Sequence, residues 1–247
     1  MGMRWTKTGV FGLWLVSALL SALFLSWKLL AANDFLYPTF YDWAGIEATI
    51  AEYAPQNRYR DGFEQTTRAE RERLFAAIGD AIHEKGRGLE SLAYHDAQGR
   101  PLAPLLHQQE ITHLRDVARL VAGFSRAGWL ALATLALTTL ALWRLHWPIP
   151  RPKRLLGGTV LAGVGLGLSL AAIGPTRVFY TLHEWLFPPD HPWFFYYQDS
   201  LMSTMMRAPV LFGYIGAALA ILAAVILSAM LAGIYTVNRH ARKNRAG

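Results

Sequence analysis

The 247-residue chain contains no cysteine. That excludes disulfides, thiolate metal sites and a cysteine nucleophile, and it excludes lipidation of the chain itself at a cysteine. Charge is sparse: 17% of residues are charged against 53% hydrophobic. There is no Gly-x-Ser-x-Gly elbow, so the usual serine-hydrolase signature is missing. There is no His-Glu-x-x-His helix either. The most telling scarcity is of acid. Three segments together hold ten basic residues and no Asp or Glu: Arg4 and Lys7, then Arg144, Arg151, Lys153 and Arg154, then Arg239, Arg242, Lys243 and Arg245. Of the 17 acids, 14 lie in residues 33–123 and three in 181–206.

Four apolar stretches separate these segments, at about residues 9–30, 124–145, 155–180 and 210–237. Each is long enough to cross about 30 Å of hydrocarbon as a helix. Excess Lys and Arg mark the cytoplasmic side, so both acid-bearing segments face outward. The net charge of +7 does not argue for nucleic acid, because the surplus sits in the three cytoplasmic patches. The first stretch is too long for the apolar core of a signal peptide and lacks a small-x-small cleavage site before Asn33, so it reads as a retained signal anchor.

The expected fold is an all-α membrane protein: four transmembrane helices with a mainly helical extracytoplasmic cap between the first two. The boundaries are an N-terminus and first span at 1–31, a cap at 32–122, a second span at 123–146 and a cytoplasmic turn at 147–154. A third span follows at 155–182, an outer loop at 183–206, a fourth span at 207–237 and a basic cytoplasmic tail at 238–247. The proline-rich stretch 146–152 cannot stay helical, so the second and third spans form an antiparallel hairpin. Gly163 and Gly167 share a helix face and predict close helix packing. The run Gly163-Val-Gly165-Leu-Gly167 is not a phosphate loop, since no strand precedes it and no Lys-Ser/Thr follows.

Within the cap, apolar spacing predicts helices over 42–53, 67–84 (with Leu74, Phe75, Ile78 and Ile82 on one stripe) and 108–121. Residues 89–106 predict a hairpin about Asp96-Ala-Gln-Gly99. Aromatics crowd the outer boundary, from Tyr37 to Trp43 and from Trp185 to Tyr197. They fit an interfacial belt or the lining of an entrance for a lipid-like substrate.

Two histidines stand out by position. His113 lies at the edge of the apolar arc Ile111, Leu114, Val117, Ala118 and Val121, and Glu110 falls inside that arc, one turn from it. A carboxylate there needs a partner or stays protonated. This is a site or an amphipathic helix with one tolerated acid. His183 lies where the third span leaves the bilayer, with Arg177 about 1.7 turns deeper. An ionisable pair at that depth marks a site or an interfacial anchor. His113, His183 and His191 with Glu110 would also make an open nitrogen/oxygen zinc site, although neither candidate has a second histidine one turn away.

At these residues the chain resembles a bacterial family, the lipoprotein intramolecular transacylases (Lit). The matching residues are Glu110-x-x-His113-Leu-x-Asp116-Val, Phe179-x-x-x-His183-x-x-Leu186-Phe187, Trp193-x-Phe195, Asp199-Ser-Leu201 and Pro209-x-x-Phe212. Sharp matching is confined to these patches. The interval from Asp199 to Pro209 is longer than the family spacing, and an aromatic-rich loop replaces part of the pattern. Both departures bear on substrate preference. The resemblance implies transfer of an acyl chain from the glyceryl group of a diacylglyceryl lipoprotein to the α-amine of its N-terminal cysteine, giving a lyso-form lipoprotein in the bacterial cytoplasmic membrane. It implies His113 and His183 as catalytic residues, with Glu110, Asp116, Arg177, Trp193 and Asp199 in support. The expected partners are diacylglyceryl-modified lipoproteins and membrane lipid.

The chemistry is consistent with those residues. Ester to amide is downhill, so no cofactor is required. The α-amine, with a pKa near about 7.7–8.0, must lose protons to attack, and the glycerol alkoxide needs one back. Imidazoles titrate in the right range; the base is assigned to His113 and the acid to His183. Arg177 or backbone amides would stabilise the oxyanion. One geometric demand follows. On a helix running straight into the second span, His113 would stand roughly 20 Å above the bilayer, so that helix is expected to bend near Gly123 or lie along the surface, and a straight continuous helix over 108–142 would count against the pairing. Two other readings are a non-catalytic membrane assembly or lipid-binding protein, which a wide separation of the imidazoles would favour, and a membrane metallohydrolase.

Overall fold

The structure, a computed structural model, describes residues 2–147 and 152–243, with side chains placed over 7–147 and, with gaps in the third apolar helix, over 155–240. Of the cytoplasmic turn expected at 147–154, residues 148–151 lie outside the described residues and 152–154 already belong to a helix; the tail end with Arg245 also lies outside them. Nine helices are described: α1 (Gly2–Ala31), α2 (Tyr37–Trp43), α3 (Ile46–Tyr53), α4 (Arg68–His83), α5 (Gln108–Arg144), α6 (Pro152–Ile173), α7 (Pro175–Leu186), α8 (Leu201–Met206) and α9 (Ala208–Lys243). A two-stranded antiparallel sheet joins β1 (Ala93–His95) to β2 (Pro101–Pro104). The chain divides into two compact units, Met1–Leu29 with Phe124–Ala172 and Ala217–Gly247, and Leu30–Gly123 with Ile173–Gly216.

The first unit is a set of apolar helices. Among the described residues three helices are long and apolar enough to cross a membrane: Lys7–Ala31, Gln108–Arg144 and Ala208–His240. Its core joins Trp14, Ala18 and Ala22 of α1 to Leu135 and Leu142 of α5 and Leu227 and Leu231 of α9. The small Ala18 and Ala22 sit one turn apart and let helices approach closely. The Trp14 indole N–H donates to Thr139 Oγ1 at 2.9 Å, which satisfies a donor that burial would otherwise strand. Gly128 is required by contact: a methyl group there would sit 2.3 Å from the Phe24 ring. The packing role expected of Gly163 and Gly167 is not found. Among the described residues no atom lies within 4 Å of where a side chain would start at either, because α1, α5 and α9 supply this unit's buried contacts.

In the second unit, α4 starts at Thr67, whose hydroxyl accepts the Glu70 N–H at 3.2 Å as a helix cap should. It buries Leu74, Phe75 and Ile78, with Ala81 rather than Ile82 completing the stripe. The expected helix over 42–53 is two helices. Gly45, at φ +63°, separates α2 from α3, and Arg207 packs against it. The hairpin forms as its turn chemistry predicts: the Gly99 N–H donates to the Asp96 carbonyl at 2.9 Å, and Gly99 takes φ +77°. Buried Arg71 donates to Tyr41 Oη, Thr66 Oγ1 and Glu47 Oε2, pinning α4 to α2 and α3. Tyr37 stacks on Phe75 at 4.0 Å and donates to the Met205 carbonyl at 2.9 Å, which ties α8 to this core.

Two helix boundaries depart from expectation, and both position the site. α5 runs unbroken from Gln108 to Arg144, with no break at Gly123. No proline interrupts it, and a lone helical glycine costs only about 1 kcal/mol. The break falls on the other arm. Gly174 at φ +95° and Pro175 end α6 and start α7, because proline lacks the N–H to continue a helix and disfavours helical geometry in the residue before it.

Candidate active site

The start of α5 is tied back by its own first acid. Glu110, three residues past His107, accepts the His107 backbone N–H at 2.6 Å through Oε2, the reciprocal half of a capping box. Its Oε1 accepts the hydroxyl of Ser200. Ser200 in turn accepts the Ser203 N–H at 2.8 Å and so caps α8. Glu110 is fully buried, and burial raises its carboxyl from 4.5 to about 7. The acid that stood out inside an apolar arc therefore joins two helix starts.

One turn on, His113 is 7% exposed and its Nδ1 has no hydrogen-bond partner among the described residues. These turns of α5 precede the apolar run that begins at Phe124. A helix of 37 residues is about 55 Å long, well beyond what a bilayer's hydrocarbon requires. Burial, then the neighbouring His183, lowers His113 to about 4, and Asp116 opposes this. His183 lies on α7. The structure brings the two imidazoles together, with ring centroids 5.9 Å apart and planes at 34°. His183 Nδ1 lies 2.8 Å from the Phe179 carbonyl, one turn back. A carbonyl only accepts, so Nδ1 carries the hydrogen and Nε2 keeps a lone pair. Burial lowers the His183 pKa as well.

The pairing is present although α5 is one continuous helix, and both imidazoles belong to the second unit. His113 lies ten residues before Gly123, and His183 lies ten residues after Ile173. Aromatic rings wall the pair: Phe187 stands edge-on to His113 at 4.7 Å, Phe179 and Trp193 lie 4.0 and 5.0 Å from His183, and Phe195 is 6.3 Å from His113.

The other expected residues divide. Asp116, buried and one turn beyond His113, accepts from Arg119 and from His191 Nδ1, the latter at 2.5 Å. Trp193 is at the site. Asp199 is not: it pairs with Arg58 at 3.1 Å. Arg177 is exposed and lies six residues from His183, about 120° around the helix, with no contact to either imidazole. Among the described residues, no three His, Cys, Asp or Glu side chains converge as a metal site requires. Glu110 and His191, expected beside the histidines in that reading, are engaged with Ser200 and Asp116. In the sequence Ser200 stood only inside the Asp199-Ser-Leu201 match, although a serine directly before an apolar run is a helix-cap signal, and neither its bond to Glu110 nor the pairing of His191 with Asp116 was foreseen.

Two imidazoles side by side among aromatic rings can pass a proton between groups held against them. The family described as lipoprotein intramolecular transacylase Lit matches residues 12–207. Among solved structures, the chain is similar to the membrane integral lipoprotein intramolecular transacylase Lit from Bacillus cereus, with a TM-score of 0.66 at 15% identity, covering 100% of this chain and 99% of that one. The same protein with one histidine-to-arginine substitution gives a TM-score of 0.65 at 16% identity, covering 99% of this chain and 95% of that one. At such identities the likeness establishes the fold. No curated protein matches the chain.

Proposed function

The chain belongs to the lipoprotein intramolecular transacylase family, and from that premise we propose that it moves an acyl chain from the glyceryl oxygen of a diacylglyceryl lipoprotein to the α-amine of the same molecule's N-terminal cysteine. The observation that carries this reading is the meeting of His113 and His183, 5.9 Å between centroids, inside an aromatic pocket.

The neutral amine attacks the ester carbonyl, a C–N bond forms, and the bond between the acyl carbon and the glyceryl oxygen breaks. One proton leaves nitrogen and one arrives on the glycerol oxygen, so the step balances with no co-reactant. The tautomer supports a reversal of the roles assigned from the sequence. His183, with Nδ1–H held by the Phe179 carbonyl, offers Nε2 as the base. His113 is the second imidazole on the proton's way to the departing oxygen, and a lowered pKa makes its cation a stronger acid. Nucleophile and ester share one molecule, so positioning supplies much of the rate. Exposed Arg177 is not needed in this scheme; the oxyanion falls to backbone or solvent donors.

In the same reading α6 is a fourth span, both termini are cytoplasmic, and the imidazole pair opens on the outer face, where lipoproteins carry their acyl chains. The aromatic loop then lines the substrate's entrance. The test is co-expression with a diacylglyceryl lipoprotein, followed by fragmentation mass spectrometry, because the product is an isomer of its substrate. An N-acylated cysteine with one acyl chain left on glycerol is expected. A free α-amine with both chains still on glycerol would overturn the reading.

A further inference from the structure

Between Phe187 and Ser200 the chain forms no helix or strand, yet it places two of the rings that wall the imidazole pair. Pro188, Pro189 and Pro192 have no N–H to donate. Among the described residues the backbone bond made within 188–195 is a local one, His191 N–H to the Pro188 carbonyl at 3.1 Å. The segment is next fastened further on, where the Arg58 N–H donates to the Gln198 carbonyl at 2.9 Å and Thr204 Oγ1 donates to the Tyr197 carbonyl at 3.0 Å. Rings pack its middle, with Trp193 and Phe194 on Tyr180 at 5.6 and 5.8 Å, and among the described residues it makes one polar tie to another element.

We infer that His191 is a positioning residue: its hydrogen bond to Asp116 fastens this segment across α5 and so holds Trp193 against His183 and Phe195 against His113. Nδ1 donates to Asp116 Oδ2 at 2.5 Å, over a separation of 75 residues. Asp116 suits the task. Its carboxylate is buried, it is held from the other side by Arg119, and it lies one turn from His113 on the same helix. A charge so buried needs partners. Without His191 its remaining partner among the described residues is Arg119, a guanidinium that is 70% exposed. Trp193, two residues past His191, lies 5.0 Å from His183, and Phe195, four past, lies 6.3 Å from His113. Loss of the tie lets both rings drift, and small displacements around reacting groups cost large factors in rate.

This inference rests on the proposed acyl transfer, and its test separates the two. Full-length protein in lipid nanodiscs is given a synthetic diacylglyceryl lipopeptide, and N-acylation is followed by fragmentation mass spectrometry for wild type, His191→Ala, His191→Asn and His113→Ala. Hydrogen exchange of the peptide spanning 187–198 is measured in parallel. Asn carries its amide nitrogen on Cγ, as His carries Nδ1, and so keeps the donor in place. His191→Ala is expected to lower kcat by about tenfold or more with a smaller change in KM, and to speed exchange in the segment. His191→Asn is expected to restore both. Wild-type kcat in the alanine variant, or an asparagine variant that is folded and as slow as alanine, would overturn the positioning role. If wild type forms no N-acyl product, or His113→Ala matches it, the functional reading fails instead. The exchange measurement needs no turnover, and an unchanged rate in His191→Ala would then overturn the tie by itself.

Discussion

Glu110 and His113 are one turn apart, and burial drives them in opposite directions. The Glu110 carboxyl is raised from 4.5 to about 7 in the folded protein. Its contribution to stability is full below about pH 4.5 and is lost as pH rises through about 7. His113 is lowered from 6.5 to about 4. Its contribution is full above about pH 6.5 and is lost as pH falls through about 4. Each shift corresponds to about 3 kcal/mol, so between about pH 4.5 and 6.5 the two slopes oppose and nearly cancel. His183, also lowered by burial, adds to the rising slope, so the change from wild type is what tests the pair. Across that window Glu110→Gln should make the thermal unfolding midpoint climb more steeply with pH, and His113→Asn should make it climb less or fall. Changes of the same sign in the two variants would contradict the burial argument. The spacing of these two residues was legible in the sequence, because residues three apart on a helix must be neighbours. Their partners were not. Ser200 reaches Glu110 over 90 residues and His191 reaches Asp116 over 75, and helical periodicity carries no information across such separations.

At the scale of elements, periodicity found α4 and the hairpin because their caps and turns are local chemistry: Thr67 before α4, and Asp96 with Gly99 in the turn. It misjudged glycine. Gly123 looked like a hinge and Gly163 with Gly167 like a packing face, yet among the described residues the glycine of α5 that meets another helix is Gly128, and nothing faces the other three. Whether a glycine bends, packs or does neither depends on what faces it, and only the tertiary fold supplies that. Substitution should separate the cases. Gly128→Ala places a methyl group against the base of the Phe24 ring and should destabilise by about 1–3 kcal/mol. Gly123→Ala, with open space around it, should be neutral or stabilising by up to about 1 kcal/mol. Thermal unfolding of the two variants decides; an equal effect would mean that α1 and α5 do not approach at Gly128. The Gly174-Pro175 break divides what reads as one apolar run, and it gives α7 a separate start from which to present His183.

For the whole molecule, the distribution of charge was the strongest signal in the sequence, since it depends on which side of a bilayer each segment occupies and not on packing. The absence of native cysteine makes that topology directly testable. In otherwise wild-type chains, a membrane-impermeant thiol reagent applied to intact cells should label Gln98→Cys in the hairpin turn and leave Gly247→Cys in the tail unlabelled. The reverse pattern would place the imidazole pair on the cytoplasmic side. The family itself was legible from two short patches of residues. The meeting of those patches was not, since His113 on α5 and His183 on α7 are 70 residues apart in the chain and helical periodicity says nothing of which helices pack together. The most direct measurement of the central claim is acyl transfer by the purified protein with each imidazole removed in turn. His113→Ala and His183→Ala, folded and given the same lipopeptide, should each leave the α-amine free where wild type acylates it; full N-acylation by either variant would contradict the account.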